Sequence, residues 1–173
     1  MKTMKAAVLF EINKPLKICN LTIPDLQRGQ VLVKMGASGI CGSQLNEVKG
    51  KKGPDKYLPH TLGHEGSGIV QGIGNGVTKV AKGDHVVLSW IKGNGIDARP
   101  PVYYCGKKKI NSGQLSTFSE YTIASENRVV KIDRRMPLSA AALIGCAVAT
   151  GMGAVFNDAS VKDGQSVAVF GAG

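Results

Sequence analysis

The sequence predicts a mainly β fold with short helices, built as a small, partly closed β-barrel, with the beginning of an α/β unit at its C-terminal end. Three observations carry this. Short runs of alternating apolar and polar residues recur from Lys5 to Ile132, as half-buried strands require. Gly is abundant, at 23 of 173 residues, which suits many tight turns, and aromatics are only 5% against 43% apolar residues, so the core is aliphatic. The chain closes on an apolar, strand-like run that ends in Gly-x-Gly.

In chain order, Lys5 to Phe10 reads as the first strand, and Leu16 to Leu21 alternates as the second, with Cys19 on its apolar face as a small buried hydrophobe. Pro24 and Arg28-Gly29 mark a turn. Gln30 to Ala37 follows, with Val31, Val33, Met35 and Ala37 on one face, and this third strand delivers Cys41. Ser43 to Lys49 predicts a short helix, with Ser43 suited to the N-cap and Gly50 to the stop. A thiol just ahead of a helix start has its thiolate favoured by the exposed amides. Gly50 to Leu62 is a basic loop in which His60 is expected at the surface.

Ser67 to Gly74 reads as a strand, Asn75-Gly76 as a hairpin turn, and His85 to Trp90 as the next strand. Trp90 to Gly113 shows no clear periodicity and is expected to be an excursion, with Cys105 an exposed or half-buried free thiol. Strands resume over Thr117 to Ile123 and Arg128 to Ile132. Pro137 opens an Ala-rich helix over Leu138 to Ile144 that Gly145 can end; Cys146 follows, and a second helix is expected from about Val148 to Asn157. The final run, Gln165 to Gly173, is the first strand and half of the G-x-G-x-x-G fingerprint of a dinucleotide-binding Rossmann fold, with Gly171 and Gly173 the glycines at the phosphates. Taken alone, Gly-x-Gly also fits an ordinary turn.

The net charge is +10, with lysines clustered at Lys49, Lys51, Lys52 and Lys56 and again at Lys107 to Lys109. An anionic partner would suit this charge. No aromatic residues interleave with the lysines for base stacking, so a solvated loop surface is the better account and nucleic acid is not an expected partner. No apolar run approaches a membrane span, and Met1 to Lys5 leads into a strand, not into a signal-peptide core, so a cytoplasmic location is expected. The four cysteines, Cys19, Cys41, Cys105 and Cys146, are far apart, which favours metal ligation or burial over a disulfide framework.

The chemistry-bearing stretch runs from Cys41-Gly42-Ser43-Gln44 to Gly63-His64-Glu65-Gly66. By spacing alone, one Cys and one His so far apart match no finger pattern. However, Gly63-His64-Glu65-Gly66-Ser67-Gly68-Ile69-Val70, followed by Lys82-Gly83-Asp84-His85-Val86-Val87, resembles the zinc signature of the medium-chain dehydrogenases, the zinc alcohol dehydrogenases. Gly39-Ile40-Cys41-Gly42-Ser43 upstream and Gly145-Cys146-Ala147-Val148-Ala149-Thr150-Gly151 downstream agree with it in order, and the similarity covers essentially the whole chain.

The resemblance implies a GroES-like barrel for residues 1–147 and, for 148–173, a linker helix and the first strand of a truncated NAD(P)-binding Rossmann domain. It implies an enzyme about twice this length, inactive as this stretch alone, that interconverts an alcohol or polyol and an aldehyde or ketone by hydride exchange with NAD or NADP. Cys41, His64 and Cys146 are the implied ligands of one catalytic Zn2+. Ser43 is implied as the hydroxyl at the substrate oxygen, and Glu65 as a residue behind the metal. Two thiolates and a neutral imidazole balance Zn2+ and leave one position open.

The sequence departs from the family pattern at Gln44, where an Asp usually orients the ligating His, and at Asn46, where some relatives carry a proton-relaying His. It also lacks the four-cysteine lobe of a structural zinc, having only Cys105 there, which leaves the homo-oligomer expected of the whole enzyme without its usual support. Alternative readings are a zinc-free reductase of the quinone-reductase type and a non-enzymatic basic binding module.

Overall fold

The computed structural model describes residues 2–171. Its strands are β1 (Thr3–Leu9), β2 (Lys17–Thr22), β3 (Gln30–Ser38), β4 (His60–Thr61), β5 (Gly66–Ile73), β6 (His85–Leu88), β7 (Val102–Cys105), β8 (Lys108–Asn111), β9 (Tyr121–Ser125) and β10 (Val129–Lys131). The helices are α1 (Gly42–Val48), α2 (Leu138–Ala141), continued by a 3-10 turn over Ala142–Gly145, and α3 (Ala147–Gly153), continued by a π-helical turn over Ala154–Asp158. Strands β1-β2-β7-β8-β4 close into a barrel, and β10-β6-β5-β3-β9 form a five-stranded sheet. The expected mainly β architecture is what the chain adopts. Among the described residues, no single helix is long and apolar enough to cross a membrane.

Alternation along β3 and β9 divides the interior into two cores. Val31 and Val33 of β3 and Ala124 of β9 join Val70, Val86, Leu88 and Val129 in one cluster. Leu32 and Ile123 point the other way, onto Met4, Val8, Leu21, Tyr103 and Ile110 inside the barrel. Each fully buried Val or Leu contributes roughly 1.5–3 kcal/mol, so branched residues at every second position specify both the strand and its facing. Tyr103 is 1% exposed; its hydroxyl accepts the Ile123 N–H at 3.1 Å, joining barrel to sheet, and burial pushes its pKa up to about 12.

Glu126 locks the loops at the sheet's edge. It is 1% exposed, and its carboxylate accepts the N–H groups of Thr78 at 2.7 Å, Lys79 at 3.0 Å and Ile96 at 2.8 Å. Burial pulls its pKa upward, but those donors outweigh burial and hold it below the ordinary carboxylate value. The resulting stability is present above the unfolded pKa of about 4.3 and is lost as pH falls through the lower, folded value. A glutamine here must turn an NH2 group onto a backbone donor. Glu126→Gln is therefore expected to cost about 2–3 kcal/mol and lower the melting temperature by roughly 5–10 °C at neutral pH, as thermal denaturation will show.

Several elements differ from expectation. The Trp90 to Gly113 stretch contains the β7–β8 hairpin, paired from Val102↔Asn111 to Cys105↔Lys108. Its strands are four residues each, and Lys107 to Lys109 mask the single inward residue of β8, Ile110. Cys105 is half-buried and free, and it packs with Cys19 against the barrel core. The continuous strand expected from Thr117 begins only at Tyr121: the Thr117 and Phe118 N–H groups are taken by the Leu62 carbonyl, and Ser119 makes a single bridge to Ala6 of β1. His60 is not a surface residue: at 6% exposure it lies in β4, beside Leu9 of β1 and Asn111 of β8.

The expected strand over Gln165 to Gly173 is not formed over its described part, and Val169 and Phe170 are 76% and 93% exposed. An all-apolar parallel strand is stable only between neighbours that satisfy its backbone and cover both faces, and no described strand adjoins this one. Gly171 adopts φ +79, whereas Gly173 lies outside the described residues.

Candidate metal centre

Three elements converge on one point. The end of β3 carries the chain to Cys41, which in extended conformation (φ −98, ψ 150) is itself the N-cap of α1. Ser43, expected at the cap, is instead the second residue of the helix, where its N–H and hydroxyl act as donors toward the Cys41 thiol. Those two donors outweigh burial and hold the Cys41 thiol below its usual pKa, as a metal-binding thiol requires.

His64 is set by Gly63 at φ +95, where a Cβ would meet Phe118 Cδ1 at 2.8 Å and the Thr117 nitrogen at 2.9 Å. Only glycine fits there. Burial lowers the His64 pKa more than neighbouring Glu65 raises it, keeping the ring neutral and able to ligate. Its Nε2 lies 3.1 Å from Cys146 Sγ, 82 residues further along the chain.

Cys146 follows the 3-10 turn that extends α2. Ser89 Oγ, just beyond β6, donates to the Gly145 carbonyl at 3.0 Å and fastens this turn to the sheet. Burial pushes the Cys146 thiol up, and Glu65 adds to the effect. Sγ of Cys41, a ring nitrogen of His64 and Sγ of Cys146 all lie within 4.8 Å of one another. Ligands about 2.0–2.3 Å from one tetrahedral zinc stand roughly 3.3–3.8 Å apart, so small adjustments suffice and the donor set fits zinc.

Glu65 is 2% exposed and takes no part in a salt bridge among the described residues. Its Oε2 accepts the Ala147 N–H at 3.0 Å, while its backbone carbonyl accepts hydroxyls of Ser38 and Thr117 at 3.1 and 3.0 Å. It thus ties the His64 segment to the Cys146 segment from behind. Gln44 is buried; its Oε1 accepts the Cys41 N–H at 3.1 Å, and its Nε2 contacts His64 Nδ1. The sequence showed that Gln44 lacks a charge but not that its oxygen is already engaged. Asn46 is exposed.

The three donors line a cleft of about 1010 Å3 together with Ser43, Trp90 and Leu115. Trp90 stands with its ring centroid 6.3 Å from that of His64, and the Arg128 guanidinium, 5.3 Å from the Trp90 ring and bonded to the Trp90 carbonyl, steadies it. Sequence reasoning did not single out this stack, which depends on Arg128 being buried in the sheet's edge.

Residues 27–134, well over half of the chain, match the alcohol dehydrogenase GroES-like domain. An S-(hydroxymethyl)glutathione dehydrogenase of Synechocystis is 37% identical over 194 residues, an alignment covering 98% of this chain and 52% of that protein. Among solved structures, an alcohol dehydrogenase zinc-binding domain protein of Burkholderia ambifaria superposes with a TM-score of 0.87 at 29% identity, over 99% of this chain and 53% of that one. Benzyl alcohol dehydrogenase of Acinetobacter calcoaceticus does so with a TM-score of 0.74 at 30% identity, over 91% and 48%. The chain spans about half the length of the curated relatives it matches. On the domain match and the shared barrel, the chain belongs to the alcohol dehydrogenase GroES-like domain family.

Proposed function

We propose that this chain is the catalytic portion of a zinc-dependent oxidoreductase that interconverts alcohols and carbonyl compounds with NAD or NADP. The convergence of Cys41, His64 and Cys146 within 4.8 Å in an open cleft carries the reading. Residues 1–147 are the metal-binding catalytic domain, and 148–173 lead into a coenzyme domain. The apolar side chains exposed along and beyond α3, among them Val148, Met152 and Phe156, support such a continuation. S-(hydroxymethyl)glutathione and benzyl alcohol, named for similar proteins, are the first alcohols to assay.

Bound by these three residues, zinc supplies a Lewis acid that makes a substrate hydroxyl acidic near neutral pH and polarises a carbonyl in the reverse direction. Ser43 Oγ, 3.5 Å from His64 Nδ1 and lining the cleft, takes the hydroxyl's proton through a hydrogen bond as it gives its own to water in the open cleft. Trp90 and Leu115 shield the reacting carbon from water. Glu65 holds the ligand segments in register. The cobalt-substituted chain tests this reading. It should show thiolate-to-cobalt charge-transfer absorption whose visible bands shift on titration with a primary alcohol or aldehyde. A spectrum without thiolate character, or one indifferent to both ligands, overturns it.

Gln44 tunes this centre. A ring that ligates through Nε2 must carry its proton on Nδ1 and donate it, yet Gln44 presents an NH2 to Nδ1 and spends its oxygen on Cys41. Glutamate would offer one oxygen to each donor. Gln44→Glu is expected to tighten zinc binding by about 10-fold in competition with a chromogenic chelator.

A further inference from the structure

We propose that Glu47, Asp55 and His60 form a second metal site, for a divalent cation that favours oxygen ligands, in the same cleft as the cysteine-containing centre. Nothing in this proposal depends on the zinc reading.

His60 is the most firmly held of the three. Its ring is held in β4 between β1 and β8 and is more than nine-tenths buried. Its Nδ1 lies 3.0 Å from the Thr61 carbonyl oxygen. A carbonyl only accepts, so Nδ1 carries the hydrogen and donates, and in the neutral ring Nε2 is a bare lone pair. Nε2 faces Asp55 Oδ2 at 2.7 Å and Glu47 Oε1 at 3.7 Å, both acceptors, so it either donates a hydrogen bond to Asp55 or, in the neutral ring, turns its lone pair to an ion held between them. Metal-binding histidines are held in this way, one nitrogen on a carbonyl and the other on the ion.

Each carboxylate is divided in the same sense. Asp55 Oδ1 accepts the Tyr57 N–H at 2.9 Å, and Glu47 Oε2 accepts the Lys52 ammonium at 3.0 Å. One oxygen of each is thereby anchored, and the other is turned to the imidazole. All three ligand atoms lie within 4.8 Å of one another. Ligands about 2.1 Å from one ion stand roughly 3.0–3.4 Å apart, a spacing that the observed 2.7 and 3.7 Å bracket. Two carboxylates and a neutral imidazole balance a dication, and this harder donor set favours Mn2+ relative to the two-thiolate set nearby. Lys52 beside Glu47 keeps the affinity moderate. Because Glu47, Asp55 and His60 all line the cleft, an ion there would brace the Gly50 to Leu58 loop against α1.

Mn2+ titration followed by loss of the free-ion electron paramagnetic resonance signal tests this. The protein used carries Cys146→Ser to silence the other centre, and its fold is checked by circular dichroism. About one Mn2+ per chain is expected, half-saturating below about 1 mM. Asp55→Asn and Glu47→Gln, both on partly exposed side chains that tolerate exchange, should each weaken binding at least about 10-fold. No Mn2+ bound by the folded protein at 1 mM overturns the proposal and leaves His60 as a hydrogen-bond partner of Asp55. Binding that both variants leave unchanged overturns it equally.

Discussion

Cys146→Ser is expected to strip the chain of the zinc that survives dialysis of reduced protein against metal-free buffer, from about one ion to well under a tenth. The loss exceeds the 10- to 100-fold that removing an outer hydrogen-bond partner costs, because a charged ligand itself disappears. Cys146 stands 3.1 Å from His64 Nε2 and contacts Cys41, and neither neighbour can replace its sulfur. The half-buried Cys105 packs against the barrel core with Cys19, so Cys105→Ser should leave the zinc in place. Undiminished zinc in Cys146→Ser would remove Cys146 from the ligand set and with it the proposed centre.

Neither the separation of these ligands nor their chemistry reveals the site from spacing alone. His64 and Cys146 are 82 residues apart, and they meet because the turn after α2 folds back onto β6, a contact between remote segments. What made the site legible was the resemblance of three separate motifs. Local patterns could not show how its surroundings are wired. The engagement of Gln44 with the Cys41 N–H depends on where α1 begins, and that start lay ahead of the expected Ser43 cap. The Glu47–Asp55–His60 group was hidden for a related reason: His60 is buried only because two-residue β4 closes the barrel against β8, and a parallel pairing of one residue leaves no periodicity.

The fold was most legible where branched residues alternate over a long strand. In β3 the pattern of Val31, Val33 and Met35 identified strand, face and end, and the core cluster contains or abuts all three. It was least legible in β7 and β8, where one buried residue per short strand, Tyr103 or Ile110, is too little signal against flanking lysines. Gln165 to Gly171 failed in the opposite way. Its apolar run is a strong strand signal, but strand formation there depends on neighbours that no local pattern supplies.

Gly145→Ala should damage stability and metal binding together. A Cβ on Gly145 would be driven into the Leu88 carbonyl oxygen, with the Leu88 carbonyl carbon at 3.2 Å and Glu65 Cβ at 3.3 Å. Leu88 cannot yield, because β6 is paired on one side with β5 and on the other with β10. The turn must move instead, and three contacts move with it. Ser89 Oγ loses the Gly145 carbonyl, Ala147 N–H is drawn from Glu65 Oε2, and Cys146 Sγ is displaced from Cys41 and His64. Overpacking of this kind costs about 2–3 kcal/mol, or roughly 5–10 °C in the melting temperature of metal-free protein. Zinc affinity should fall at least about 10-fold in chelator competition, although no ligand has been altered. A variant with parental melting temperature and parental affinity would mean that the turn carrying Cys146 is not held against β6, and that the ligand is positioned by α3 instead.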